Sequence, residues 1–334
     1  MTTYDALLVV SFGGPEGPDD VVPFLENVTG GRGIPRERLV EVGAHYNLFG
    51  GISPINAQCR ALIAALEREL AATGRAMPIY WGNRNWHPML ADTMRTMRDH
   101  GVRHALAFVT SAWSSYSACR QYLDDIERAR ATVGEGTPTV DKIRQFYDHP
   151  GFIEPMADNL RAALSGVPTA STRVVFTAHS IPVSMAASCD YVAQLHEAAQ
   201  LIAHGAGVDH YDLAYQSRSG PPSVPWLEPD ICDHIDQLAD GGIGNVVIVP
   251  VGFISDHMEV LYDLDTQAAA RAAARSMRFV RVGTVGTDPR FVAMIRELVE
   301  ERLDPACPRR SLGALDVRPD QCAASCCPAP SRAR

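Results

Sequence analysis

His179, Glu259 and Asp263 are the residues whose types and spacing most directly suggest chemistry. His179 ends the apolar run Val174-Val175-Phe176-Thr177-Ala178 and is followed by Ser180-Ile181-Pro182. The proline stops a strand there and leaves two polar side chains at its tip. Glu259 and Asp263 lie four residues apart within Ser255-Asp256-His257-Met258-Glu259-Val260-Leu261-Tyr262-Asp263-Leu264-Asp265, so a helix stacks them on one face. An imidazole set against a short carboxylate ladder can take protons, hold a divalent metal in passing, or do both. Glu259 also has a plainer explanation, because Asp256-x-x-Glu259 matches a capping box at a helix start. Asp263 and Asp265 beyond it, beside Tyr262, favour the functional reading.

The elements that must position these groups are legible as apolar runs. Ala6–Ser11, Met77–Trp81, Ala105–Thr110, Val174–Ala178, Tyr211–Tyr215, Val246–Val251 and Phe279–Val282 predict strands buried on both faces. Amphipathic helices alternate with them: one from Ser53-Pro54 to Gly74, one over Tyr191–His204, and one from Asp288-Pro289 through Val299. Alternation of this kind implies an α/β fold, with parallel sheets carrying helices on both faces. Three strands precede position 112 and four follow position 173, which suggests two βαβ domains facing each other across a cleft. The expected division is 1–155, 156–303 and a Cys-rich tail 304–334, with the last helix free to pack back on the first domain. No internal repeat is visible in the sequence. Ligands in such sheets bind at the carboxyl ends of strands, here Ser11-Phe12-Gly13-Gly14, Gly82-Asn83-Arg84-Asn85, Ser111-Ala112-Trp113, His179-Ser180, Gln216-Ser217-Arg218 and Gly252-Phe253.

Composition narrows the function classes. Hydrophobic content of 46% and charged content of 21% are those of a soluble globular protein, and 334 residues suffice for two domains. A net charge of −9 and a pI near 5.6 exclude nucleic acid as the expected partner. The N-terminus lacks a basic region, and Ala6–Phe12 is too short to export or span anything, so a cytoplasmic location and no transmembrane segment are expected. Gly13-Gly14-Pro15-Glu16-Gly17 lacks the spacing and the lysine of a phosphate loop, and reads as a tight turn. Ser53 suits either a ligand contact or the cap of the helix after Pro54. Arg84 suits a carboxylate-bearing ligand, and Trp226 either a packed aromatic or the wall of a flat pocket. Four of the eight cysteines, Cys307, Cys322, Cys326 and Cys327, crowd the tail. Cys322-x-x-x-Cys326-Cys327 supplies three thiolates without the paired C-x-x-C knuckles of a zinc ribbon, so a fourth ligand from elsewhere, with Cys119 the best candidate in the body, would make an iron–sulfur site that clips the tail to the domain.

Several of these segments together resemble the ferrochelatases, in particular the coproporphyrin-using bacterial type and its iron–sulfur-bearing branch. The resemblance runs from about Asp5 to Leu303. It rests on Leu8-Val9-Val10-Ser11-Phe12-Gly13-Gly14-Pro15, Phe49-Gly50-Gly51-Ile52-Ser53-Pro54, Thr177-Ala178-His179-Ser180-Ile181-Pro182, Tyr215-Gln216-Ser217-Arg218, Pro225-Trp226-Leu227 and Ser255-Asp256-His257-Met258-Glu259-Val260-Leu261-Tyr262. It implies two Rossmann-like domains around a porphyrin cleft and insertion of Fe(II) into coproporphyrin III, giving coproheme for haem synthesis. His179 would be metal-side ligand and proton acceptor, Glu259 its partner, and Asp263 the next carboxylate on the path of metal or protons. Phe12, Tyr46, Ser53, Arg84, Ser217 and Trp226 would line the porphyrin, with Trp226 pressing on the ring. A [2Fe–2S] cluster would be held by Cys119, Cys322, Cys326 and Cys327, with Cys307 in reserve, and transient contact with neighbouring haem-pathway enzymes is implied. The chain departs from the pattern at Phe12, where relatives carry tyrosine, and at Thr29 and Gly30, where some carry arginines; Arg32 and Arg84 lie nearby. Gln267 replaces an acidic residue of the ladder. A cobalt or nickel chelatase, a protoporphyrin IX ferrochelatase, a porphyrin or haem carrier and an iron–sulfur sensor are the alternatives to be separated.

Overall fold

The computed structural model describes residues 3–30 and 33–329. Arg32 lies outside the described residues. Eight strands form two four-stranded parallel sheets: β1 (Ala6–Ser11), β2 (Ile79–Asn83), β3 (His104–Val109) and β4 (Thr139–Lys142), then β5 (Thr172–His179), β6 (Tyr211–Gln216), β7 (Asn245–Val249) and β8 (Arg278–Arg281). The order is β2-β1-β3-β4 in one sheet and β6-β5-β7-β8 in the other. Each half therefore winds its strands in the same sequence, a duplication of architecture that leaves no repeat in the residues. Seven strands coincide with the apolar runs. The eighth, β4, was not expected: Thr-Val-Asp-Lys has no apolar run, because an edge strand pairs only with β3.

The helices are α1 (Pro18–Val28), α2 (Arg36–Asn47), α3 (Ile55–Ala72), α4 (Leu90–Asp99), α5 (Gln121–Val133), α6 (Pro150–Leu164), α7 (Val183–Ala186), α8 (Tyr191–Ala206), α9 (Ile231–Asp240), α10 (Ala269–Ala274) and α11 (Pro289–Leu303). One apolar core joins the two halves, from Leu7, Phe108 and Leu66 through Phe146 and Phe152 to Phe176, Leu195, Val249 and Phe291. Separate cores lie under α4 and α5 against the first sheet and under α9 and α10 against the second. Helix α11 packs on both α3 and α6. The close crossing of α6 and α11 needs Gly151, where a Cβ would lie 2.6 Å from the Arg290 carbonyl oxygen and from Met294 Cβ. The division at 155/156 falls inside α6.

Residues 304–329 carry no regular element and run over the body, held by polar contacts. Ser311 Oγ donates to Asp148 at 2.6 Å, Glu197 accepts the Ala314 and Leu315 amides at 2.6 and 2.9 Å, and Arg318 pairs with Asp190 at 2.6 Å. No helix among the described residues is long and apolar enough to cross a membrane.

Candidate active site

Strand β5 delivers His179 to its carboxyl end, where the Ser180 amide still donates to the Gln216 carbonyl at 2.7 Å. The next residues pair with the tryptophan segment: Leu227 N–H donates to Ile181 O at 3.0 Å, and Ser180 Oγ to Leu227 O at 2.8 Å. Trp226 is thereby pinned beside the histidine. Its indole N–H is buried and has no hydrogen-bond partner among the described residues. Gly220 must be glycine for this packing, since a Cβ there would come within 2.3 Å of the indole nitrogen.

Beyond β7 the chain turns through residues 250–257 into a helix whose stretch Val260–Ala268 is π-wound. Such widened turns recur at functional sites. The capping box is not formed. Asp256 instead pairs with Arg281 at 3.1 Å and accepts from Thr284 Oγ1, while His257 Nδ1 receives the Glu259 amide at 3.2 Å. The Glu259 carboxylate is left free for the cleft. Its Oε1 lies 3.6 Å from His179 Nε2 and its Oε2 3.7 Å from His257 Nδ1. Gln216 Nε2 holds the Glu259 carbonyl at 3.0 Å. His179 Nδ1 is engaged by the Ser180 carbonyl, so Nδ1 carries the proton and Nε2 faces Glu259.

Charge follows from this geometry. Burial opposes the imidazolium of His179, but the Glu259 carboxylate outweighs it and raises the pKa above the usual histidine value. Burial likewise opposes the Glu259 carboxylate, and the neighbouring imidazoles of His179 and His257 outweigh it, holding its pKa down at about 2. Burial lowers the pKa of His257. Asp263 is different: burial, with help from the Glu259 charge, pushes it up to about 7 against the hydrogen bond from Ser217 Oγ. Ser217 makes that bond from a left-handed backbone with φ of 61°, a strained placement for a residue with a Cβ. Asp265 does not extend the ladder, because it pairs with Arg281 at 2.5 Å, and Gln267 is exposed.

A stability prediction follows from Asp263. Its folded pKa is raised above the ordinary 3.8, so the carboxyl carries no penalty below 3.8, costs progressively more as pH rises, and levels off above about 7. Asp263→Asn is expected to melt a few degrees above the parent at pH 8, with the gap shrinking toward pH 4. Thermal unfolding across that range checks it; a variant no more stable at pH 8 than at pH 4, relative to the parent, contradicts it.

The opposite wall comes from the first half. Phe12, just past β1, is half-exposed and packs edge-on to Phe24 at 6.3 Å. Tyr46 on α2 lies near Glu259 and Asp263, and burial, then those two charges, raise its pKa. Ser53 is buried at the turn before α3 but caps nothing: the N-cap is Pro54 and lacks a side-chain cap bond. Its hydroxyl packs against Gly14, where a Cβ would sit 2.9 Å from Ser53 Oγ. Arg84 is not free for a ligand as it stands. It pairs with Asp125, stacks over Tyr122 at 4.5 Å, and both partners of the pair are nearly buried. His45 stacks on Tyr262 at 3.9 Å and 12°, bridging the two walls. Sequence reading missed His45, Gln216 and the capping role of His257; the last two sit within the quoted motifs, whereas His45 carries no signal of its own.

The tail brings its thiols to the body. Cys326 and Cys327 Sγ are 3.6 Å apart, and Cys327 adopts a left-handed φ of 50°. Burial, then the neighbouring Cys326, raise the pKa of Cys322 and of Cys327, and both also feel Cys119. Gln145 Nε2 donates to Cys119 Sγ at 2.7 Å and Arg318 to Cys326 Sγ at 3.8 Å, while Arg120 holds the Ala323 and Cys326 carbonyls. Cys307 stands apart, in a cavity of about 300 Å³ with Glu301, Arg302, Arg309 and Asp320. Among the described residues no three His, Cys, Asp or Glu side chains gather tightly enough to bind one metal ion.

The Ferrochelatase family model matches residues 4–303. The chain is 53% identical to the Ferrochelatase of Rhodopirellula baltica over 97% of this chain and 93% of that one. It is 54% identical to the Coproporphyrin III ferrochelatase of Nocardia farcinica over 98% and 97%, and 53% identical to that of Frankia alni over 98% and 87%. Among solved structures, SirB from Bacillus subtilis with Fe3+ superposes with a TM-score of 0.56 at 14% identity, covering 90% of this chain and 98% of that one. CbiX, the terminal enzyme for siroheme biosynthesis in denitrifying bacteria, gives 0.51 at 16% identity over 90% and 100%. These two speak for the fold alone, a two-domain α/β chelatase architecture. The paired walls of the cleft and the match over nearly the whole chain lead to one conclusion: this protein is a metal chelatase and belongs to the ferrochelatase family.

Proposed function

We propose that the protein inserts Fe(II) into coproporphyrin III, yielding coproheme and two protons. The observation that carries this reading is His179 Nε2 and Glu259 Oε1, 3.6 Å apart at the end of a strand and the start of a helix. The coproporphyrin III ferrochelatases of Nocardia and Frankia supply the substrate class.

A planar macrocycle resists metalation because its two N–H groups point inward and its lone pairs are not aimed at an entering ion. Trp226, pinned from below by Gly220 and the β5 extension, is the rigid surface against which the ring bends. His179 in its unprotonated form takes one pyrrole proton at Nε2, and the nearby carboxylate, by raising its pKa, makes that nitrogen the stronger base. Glu259 stays ionised and stabilises the resulting imidazolium, and its low proton affinity keeps it from trapping that proton. Asp263, with a pKa of about 7, is the group suited to receive protons and release them near neutrality. The second pyrrole proton leaves by the same route as the nitrogens close on the iron, so Fe2+ replaces two H+ and the ring stays charge-balanced. Phe12 supplies no phenol oxygen and serves as an apolar wall. Tyr46, Ser53 and Ser217 line the cleft toward the propionates. Arg84 would reach a propionate only by leaving Asp125.

The four thiols Cys119, Cys322, Cys326 and Cys327 suit a [2Fe–2S] cluster, each iron taking two thiolates. When bound, the cluster would cross-link tail to body and offer a one-electron centre, which metal insertion itself does not use. We place the enzyme in the cytoplasm, with transient handover contacts to its neighbours in haem synthesis. The test is an anaerobic assay of Fe(II) insertion with coproporphyrin III and protoporphyrin IX in parallel. A preference for coproporphyrin of at least roughly tenfold in kcat/KM, about 1.4 kcal/mol, is expected; equal use, or a preference for protoporphyrin, overturns the substrate assignment.

A further inference from the structure

Tyr191 opens α8 and is buried at 4% exposure, and no step of the chemistry above uses it. Its hydroxyl donates to the His179 carbonyl oxygen at 3.0 Å. That carbonyl belongs to the peptide whose N–H, on Ser180, donates to Gln216 at 2.7 Å, and the next carbonyl engages His179 Nδ1. The phenol thus holds the peptide from which the catalytic imidazole hangs. The Tyr191 ring also stands edge-on to Trp113, at 6.4 Å and 85°, and Trp113 Nε1 donates 2.9 Å to Gly252 O, at the start of the loop that leads to Glu259. One aromatic pair therefore touches the supports of both members of the His179/Glu259 pair.

The tail grips the same turn of α8. Asp190, the N-cap, pairs with Arg318 at 2.6 Å, and Arg318 reaches Cys326 Sγ. Two turns on, Glu197 accepts two tail amides. Between them Gln194 exchanges two 2.8 Å hydrogen bonds with Ser114, fixing the turn to the first half. We propose that Tyr191 is a positioning residue through which the docked tail sets the place of His179 opposite Glu259.

The proposal rests on the Fe(II)-insertion reading, so its test keeps the two separable. Tyr191→Phe removes one oxygen, and Asp190→Ala removes the ion pair that Arg318 makes with this turn without touching a thiol or a cap bond, since Asp190 makes none through its side chain. Tyr191→Phe is expected to lower kcat for coproporphyrin metalation roughly tenfold with KM for the porphyrin unchanged, because small misplacements of a reacting group are costly. Asp190→Ala is expected to give a smaller loss, and the double variant is no slower than Tyr191→Phe alone, the sign of a shared path. Independently of turnover, hydrogen exchange at the Ser180 amide is expected to quicken in both single variants. Multiplying losses in the double variant, unchanged kcat in Tyr191→Phe, or unchanged Ser180 exchange in Asp190→Ala overturns the proposal. A wild-type protein that inserts no iron at all fails the function reading instead, and the exchange measurement still decides the coupling.

Discussion

His179→Ala is expected to lower Fe(II) insertion into coproporphyrin III by roughly a thousandfold while the porphyrin still binds. General acid–base catalysis by one positioned group contributes about 10²–10⁴-fold, and here the same ring also meets the metal. The loss should fall on kcat. In this proposal the porphyrin would be held by the walls at Phe12, Tyr46 and Trp226, whereas His179 Nε2 faces Glu259 at 3.6 Å. Free imidazole should restore part of the rate in the alanine variant, since the cavity left is the size of the missing ring. Fluorescence titration of the porphyrin together with stopped-flow insertion separates binding from chemistry. Retention of more than a tenth of the parental kcat would remove His179 from the proton path.

Cys119→Ser is expected to have the second large effect, on colour and on stability. The wild-type protein should be brown, with charge-transfer bands that bleach with dithionite. The serine variant should be colourless. Closing a long loop between body and tail stabilises by on the order of 3 kcal/mol in the cross-link picture, so the melting temperature should drop by roughly 4 °C. The ion pairs of the tail cannot replace this, being mostly half-exposed and individually weak. Cys307→Ser serves as the control and should stay brown, because Cys307 lies in its own cavity away from the other thiols. Anaerobically purified protein that holds zinc but neither iron nor sulfide would end the cluster assignment.

How much of this was readable in the residues depends on what each signal reports. Strands buried on both faces announce themselves as apolar runs, and so β1, β5 and β7 lie within a residue or two of their expected ends. β4 was invisible for the converse reason, an edge position that asks little of its side chains. The repeated strand order of the two halves has no counterpart in sequence, since topology constrains burial and not identity. At the site, His179 stood out as a polar group at the tip of an apolar run and Glu259 as the first of two carboxylates four residues apart, and the fold sets the two 3.6 Å from each other. The capping box at Asp256 was a false lead: Arg281, sixteen residues past Asp265, takes Asp256 away, and a pairing at that separation cannot be read from local spacing. Arg84 was misjudged in the same way, because Asp125 and Tyr122, which enclose it, come from α5. Adjacency alone said nothing of how the Cys326 and Cys327 thiols sit; the left-handed turn at Cys327 sets their sulfurs 3.6 Å apart.

The central claim is that this cleft metalates a porphyrin and does not merely hold it, and Glu259→Gln addresses it most directly. The amide keeps the shape of the carboxylate but cannot stabilise the imidazolium of His179 or offset the charge of the incoming iron. Coproporphyrin III should bind Glu259→Gln within a few-fold of wild type while Fe(II) insertion falls by at least roughly a hundredfold. Insertion at the wild-type rate with binding intact would contradict the claim and favour a carrier.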